Sequence, residues 1–296
     1  MKKLLTIFLM ISYYTVFAQS DDSLFSRLSG IAANGSEFYN IDGIEISSRT
    51  VTGEFSVKNI VKNFKGYSIK EKELVAGDSV LGVRNFYIDR SEKQGEVLVQ
   101  NASVYVIENA EKGITVVTFN AINKSDRDFE RRFVKLINSK MIPSDIYAPM
   151  KIDSINFAGR KIALGGSCGW QGVNNVQCPY YGQMNWSVHR DLQDAIRTAT
   201  NHSNANKGRN GIKVISEDSV AVLFEGVDIK VSKVVYDLKG VKSLLAGMSG
   251  GKTLTVYYVA APVRNNFVSC VMSYWNNDNI NPSGLPPLLE QVMKLK

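Results

Sequence analysis

An α+β protein of two similar units is what this sequence predicts, each unit an antiparallel sheet meander with helices packed on one face in the order β-α-β-β-β-α. Three observations carry that expectation. Runs rich in β-branched and aromatic residues are separated by turns that carry glycine; apolar positions at helical spacing interrupt them; and both halves repeat the same order. The string GDSVLGV (77–83) echoes EDSVAVL (217–223) at the same place in that order, which admits an internal duplication. One large sheet shared by both halves is the competing arrangement.

The elements follow in order. IEISSRTVTGEF (44–55) reads as strand, and SVKNIVKNFKG places Val57, Ile60, Val61 and Phe64 on one helical face, with Ser56 as N-cap and Gly66 as stop. Three strands are expected at 79–88, 96–107 and 114–121. A helix then aligns Phe129, Phe133, Leu136 and Ile137, with Ser125 as its capping residue. Two prolines and a loss of periodicity in MIPSDIYAPM mark a joint, so the expected units are 19–145 and 146–296. Beyond it, RKIALGG and GQMNW read as strands, SVHRDLQDAIRTATNHS as a helix, four further segments as strands, and PPLLEQVMKLK as a terminal helix.

The first residues, MKKLLTIFLMISYYTVFAQS, combine two lysines, an apolar run and a small residue at Ala18, the pattern of a secretory signal peptide (1–18) cleaved after Ala18. The expectation is an exported chain, periplasmic or secreted. No cysteine follows the cleavage site, so no lipid anchor is expected, and no apolar stretch reaches the roughly 20 residues of a membrane span. Hydrophobic residues make up 44% and charged residues 21%, which describes a globular chain with ample core. The net charge of +7 is spread along the chain, and the basic loop NKGRNGIK carries no interleaved aromatics, so no nucleic-acid partner is expected.

Ala246 to Thr253 fits the loose pattern [AG]-x4-G-K-[ST]. A phosphate-binding loop must feed a helix after its Lys-Thr pair, whereas TLTVYYV after Lys252 is strand-forming. The glycines there read as a turn leading into a hairpin that reverses at RNN (264–266). A cysteine nucleophile, Cys168 or Cys270, with His189 as base would be the sharpest enzymatic reading, but no orienting or oxyanion signature accompanies it. No catalytic residue, metal site or cofactor is assigned, and NNDNINPSG (276–284) is a poor calcium loop with one carboxylate. The three-residue Asp-Ser-aliphatic matches at Ser23, Ser79, Ser154 and Ser219 are too short to assign a glycan.

In an oxidising compartment CGWQGVNNVQC reads as a disulfide between Cys168 and Cys178, leaving Cys270 buried in a strand. Around that bridge, Trp170, Tyr180, Tyr181 and Trp186 stand with Gln171, Asn174, Asn175 and Gln183. Flat rings stack on sugars or peptide groups and amides supply paired donors and acceptors. The candidate ligand site is therefore Trp170, Tyr180, Tyr181, Trp186 and Gln183, and the expected function is non-catalytic binding of a glycan, peptide or envelope partner. An exported hydrolase assembled from distant residues and a structural subunit of an envelope assembly are the alternatives.

Overall fold

The computed structural model describes residues 23–94, 98–238 and 251–296. The expected signal peptide, the start of the expected 96–107 strand and the Ala246–Gly250 part of the glycine-rich turn lie outside them.

Strands β1 (Ser29–Ala33), β2 (Ser36–Ile41) and β3 (Ile44–Val51) form a meander, followed by helix α1 (Val57–Asn63). Then come β4 (Asn85–Asp89), β5 (Glu92–Gln94), β6 (Leu98–Glu108), β7 (Ile114–Ile122) and helix α2 (Arg127–Asn138), with β8 (Tyr147–Ala148) after it. The sheet order is β4-β6-β7-β3-β2-β1-β8, with β5 also on β6. Tyr147–Ala148, which the sequence reading assigns to the second unit, thus adds an edge strand to the first sheet. β9 (Ser154–Phe157) and β10 (Arg160–Ala163) make a separate hairpin.

The second sheet repeats the wiring. β11 (Gly169–Gly172), β12 (Asn175–Cys178) and β13 (Gly182–His189) form a meander before helix α3 (Leu192–Lys207). β14 (Lys213–Phe224), β15 (Val227–Asp237), β16 (Thr253–Val263) and β17 (Asn266–Trp275) follow, then α4 (Pro287–Glu290) and β18 (Met293–Leu295). Its order is β11-β12-β13-β17-β16-β15-β14-β18. In each sheet the last strand of the second meander returns to pair with the third strand of the first: β7 on β3, β17 on β13. The α+β class with two similar antiparallel units is therefore the architecture.

Within each unit the helices pack on opposite faces, where the sequence reading puts them on one. Tyr105, Ile107, Val117 and Phe119 pack with Phe133, Val134 and Leu136 of α2, while Val104, Val106 and Val116 pack with Ile60 of α1 and its C-cap residue Phe64. Likewise Met184, Trp186 and Val188 pack with Leu288 and Leu289 of α4, while His189 reaches Asp194 of α3. The central strands are buried on successive residues, as in SVYVI (103–107), which is the pattern of a strand covered on both sides.

Other differences are local. The N-cap of α2 is Asp126, whose side chain accepts from the Phe129 N–H, rather than Ser125. Residues 79–81 form a 3-10 turn capped by Asp78 and ended by left-handed Gly82, whereas 217–223 lies inside β14, so the echo between those strings has no structural counterpart. Helix α3 begins at Leu192 under the Asp191 cap, leaving Ser187 to His189 in β13. The terminal helix stops after one turn, and Met293–Leu295 adds a strand to β14. After Lys252 the chain is strand β16, which reverses at Arg264 and pairs with β17 along its length. Arg160 and Arg264 both bind the Glu225 carboxylate, and Arg264 also donates to the Phe157 and Ala158 carbonyls, pinning the β9–β10 hairpin to the second sheet.

Candidate polar site between the two sheets

The aromatic loop is a hairpin, β11 and β12, closed by the Cys168–Cys178 disulfide. It does not form one ring surface. Alternation along β13 turns Trp186 inward, where it is 2% exposed against Phe157 at 5.4 Å between ring centres. Trp170 is half-buried on Trp186 at 6.3 Å, and its indole N–H donates to the Pro149 carbonyl at 3.0 Å. Tyr180 and Tyr181 are exposed in the separate β12–β13 turn, whose backbone carbonyls accept from Asn279 and Leu288. Gln183 donates to Asn175 at 2.9 Å. The structure thus brings Trp170 and Trp186 together and sets the tyrosines apart.

A second group of polar side chains lies where the sheets meet. Asp42 and Gly43 form the turn between β2 and β3 with φ of 51° and 76°, the geometry an Asp-Gly hairpin adopts. Its tip docks on β13. The Asp42 N–H donates to the Val188 carbonyl at 3.0 Å, the Gly43 N–H to Ser187 Oγ at 2.7 Å, and the Arg190 N–H to Asp42 Oδ1 at 3.0 Å. Ser187 in turn donates to Asn40 Oδ1 at 2.7 Å, and Arg27 grips the Asp42 carboxylate through two nitrogens. Every one of these buried polar groups has a partner, as a water-poor junction requires.

Lys124 ties the junction to α3. Its Nζ donates to the Asp42 carbonyl and to Asp194 Oδ2, each at 2.7 Å, and Arg197 donates to Asp194 Oδ1 at 2.5 Å. Asp194 is fully buried. Burial alone would raise its pKa, but hydrogen bonds from His189 and Lys124, with the Lys124 charge and the Arg197 contact, outweigh it and hold the carboxyl well below the usual carboxylate range. Asp42, His189 and Asp194 offer ligand atoms within 4.8 Å of one another, a spacing that could hold a metal ion. Arg27, Lys124 and Arg197 already supply the positive charge there.

His189 completes the network: its Nε2 lies 2.8 Å from Ser269 Oγ and its Nδ1 3.3 Å from Asp194 Oδ2. The pairing of His189 with a cysteine is overturned. Cys168 is in the disulfide, and Cys270 faces the opposite side of β17, buried among Trp186, Val259 and Met272, where burial pushes its thiol pKa well up. A folded, non-reduced sample should accordingly give no thiol reaction with a disulfide reagent, one thiol after denaturation, and three after denaturation with reductant. A rapid native reaction would place Cys270 at the surface.

Beside this network lies a polar pocket of about 210 Å³. Gln100, Asn120, Asn185, Asn201 and Asn206 bring amides to its wall, with His202, Arg209 and Ser269. Burial, helped by the nearby Arg209 charge, lowers the His202 pKa and keeps the ring neutral at neutral pH. The oxygen-rich loop at 276–284 spends its side chains on the backbone instead: Asn276 accepts from Lys252 and Thr253, and Asp278 from Trp275.

No known protein family and no curated protein matches the sequence. Among solved structures, the chain has a match to the crystal structure of the di-domain ARO/CYC StfQ from the steffimycin biosynthetic pathway, at 12% identity over 90% of this chain and 77% of that one, with a TM-score of 0.17. That score is too low to relate the two architectures. No helix among the described residues is long and apolar enough to cross a membrane.

Proposed function

We propose that this is an exported, non-catalytic binding protein that takes one unit of a glycan or peptide, free or presented by an envelope partner, in the polar pocket between the sheets. The observation that carries the reading is the row of amides at Gln100, Asn120, Asn185, Asn201 and Asn206 around a space of about 210 Å³. An amide carries an acceptor oxygen and two donor hydrogens, the pairing that sugar hydroxyls and peptide groups require, and of the five, Asn201 and Asn206 already donate to the Ile122 carbonyl and the Tyr258 hydroxyl. Ligand pockets usually span about 300–1,000 Å³, so this one suits a single sugar ring or residue rather than a large cofactor. The disulfide and the signal-peptide pattern at 1–18 support export.

The test is thermal denaturation of the mature, oxidised protein against soluble glycan fragments and short peptides, beside an Asn120→Ala, Asn185→Ala variant. A ligand that raises the melting temperature of the parent and not of the variant supports the pocket. Equal shifts in both proteins would move the site elsewhere.

Acyl transfer at Ser269 is the second reading, favoured by the Ser269–His189–Asp194 distances. Two features oppose it. Asp194 is shared with Lys124 and Arg197 instead of serving the histidine alone, and the backbone around Ser269 is committed to the ladders with β13 and β16 rather than to an oxyanion. A fluorophosphonate should leave the intact mass unchanged; an adduct that disappears in Ser269→Ala would replace binding with hydrolysis.

A further inference from the structure

The face of the first sheet that carries α2 changes character along its strands. Toward the junction, β2 shows Tyr39 and Ile41, β3 shows Ile44 and Ile46, and β7 shows Val117 and Phe119, all packed in the α2 core. Toward the other end the same alternating positions are Glu37, Ser48, Thr50 and Thr115. Three neighbouring strands thus switch from apolar to hydroxyl or carboxylate, β2 and β3 at the Glu37–Ser48 pair and β7 one step further, at Thr115 opposite Thr50. Beyond the C-terminal end of α2 these positions floor an open groove of about 740 Å³, walled by Tyr147 and Lys140 among others. That volume lies within the range of small-molecule sites, and the groove lies at the end of β2 and β3 opposite the Asp42–Gly43 turn.

The floor is built rather than incidental. Ser48 and Thr115 are each 2% exposed, so two hydroxyl side chains sit deep on this face where a sheet covered by helix would carry valine or isoleucine. Thr115 Oγ1 lies 2.8 Å from Thr50 Oγ1 and accepts from Asn109 Nδ2. Glu37 is the one carboxylate on the floor, and among the described residues no cation pairs with it. Tyr147 donates to its Oε1 at 3.0 Å, and the single phenol proton of Tyr39 is shared between Glu37 Oε2 and Tyr147 Oη, each at 2.8 Å. Burial first, then the hydrogen bond to Tyr147 and the Glu37 charge, raises the Tyr39 pKa, while burial and the Glu37 charge outweigh the Tyr39 hydrogen bond and push Tyr147 up to about 12. A carboxylate has roughly four lone-pair sites, so two remain for a ligand. Lys140, at the rim, is taken by Glu111.

We propose that this groove is a saccharide-binding site separate from the pocket between the sheets, with Glu37 accepting from two donors on one sugar ring and the serine and threonine hydroxyls pairing with its neighbours. The chemistry selects the class. Sugar hydroxyls donate and accept in alternation, as the floor does, and a carboxylate fixed by two neutral donors accepts from vicinal hydroxyl or amino groups by charge-assisted hydrogen bonds. Tyr147 adds an aromatic ring at the wall. A phosphate or carboxylate ligand would meet Glu37 with no cation on the floor, among the described residues, to offset it.

Calorimetric titration of the mature protein with a neutral cello-oligosaccharide, a chito-oligosaccharide, an amino-bearing glucosamine oligomer and a lysine pentapeptide tests the assignment. At least one saccharide is expected to bind. Glu37→Gln and Tyr147→Phe should each weaken it by tenfold or more, while Lys58→Ala, on the exposed side of α1 and outside both sites, leaves it unchanged. Stronger binding of the glucosamine oligomer than of the neutral chains would identify the amino group as the donor at Glu37. Tyr147→Phe removes a single hydroxyl, so it keeps the test decisive where Glu37→Gln fails to fold. Loss of binding in Asn120→Ala, a variant of the pocket between the sheets, but in neither groove variant, binding of the peptide but of no saccharide, or no binding by any probe would overturn the groove as a saccharide site.

Discussion

Replacing Asp194 with Asn should lower stability by about 3–5 kcal/mol, the loss expected when one member of a buried ion pair is removed. The amide keeps the shape and can still accept a hydrogen bond. It cannot offset the charge of Lys124, whose side chain is only 16% exposed. Arg197 is half-exposed and can turn to water, so the stranded lysine dominates the cost. For a chain of this size such a loss lowers the melting temperature by roughly 6–15 °C. Pairing Asp194→Asn with Lys124→Met should cost less than the sum of the two single changes, because the double variant strands no charge. Equal and additive losses would mean that the pair does not hold the junction.

The same pair sets an acid limit. Asp194 has its folded pKa held below its unfolded value, so its contribution is fully present above the ordinary carboxylate range and is lost as pH falls through the lower, folded value. Asp78 behaves alike: burial opposes ionisation, but the Arg131 hydrogen bond and the charges of Arg127 and Arg131 win. Stability of the parent should therefore fall steeply below about pH 4. Asp194→Asn should flatten that fall as well as lower the plateau.

The fold was legible where local rules govern it. Ser56 caps α1 as its position implies, Phe133 and Leu136 face the core, and the residues after Lys252 are strand for the reason their β-branching gives. The site was legible only in part, and β17 shows why. His189 was recognisable as a group in need of a partner, but whether Ser269 or Cys270 faces it depends on strand register, and a shift of one residue exchanges the two faces. The register pairs Ser187 with Ser269 and Trp186 with Cys270, which places both serines on the His189 side and Trp186 and Cys270 in the core opposite. A period-two reading of Ser187, His189 and Ser269 as one polar face would have found this. The Lys124–Asp194 contact had no such signal, since both residues look like ordinary surface charges until two sheets close over them. The aromatic cluster divides for the same reason: Trp186 sits on the inward phase of β13, a matter of register as at Cys270.

Gly43 should tolerate no side chain. A Cβ there would lie 2.8 Å from both Thr198 Cγ2 and Thr198 Oγ1, and the residue has φ of +76°, which L-residues adopt only with strain. Strain of about 1–3 kcal/mol and overpacking of a similar size give an expected loss of roughly 2–5 kcal/mol for Gly43→Ala. The two contributions separate by experiment. Thr198→Ala removes the atoms in the way and not the backbone strain, so Gly43→Ala with Thr198→Ala should recover about half of the loss, measured as a coupling energy in denaturant unfolding. The Gly43 N–H still has to reach Ser187 Oγ, so a variant that relieves the clash by lifting the turn would lose that bond and the neighbouring Asp42–Val188 bond together. Hydrogen exchange at the Asp42 amide distinguishes these outcomes. Protection retained in the double variant means that the turn is still docked and that the close fit of glycine against Thr198 is what seats the first sheet on the second; protection lost means that the backbone conformation alone sets the junction.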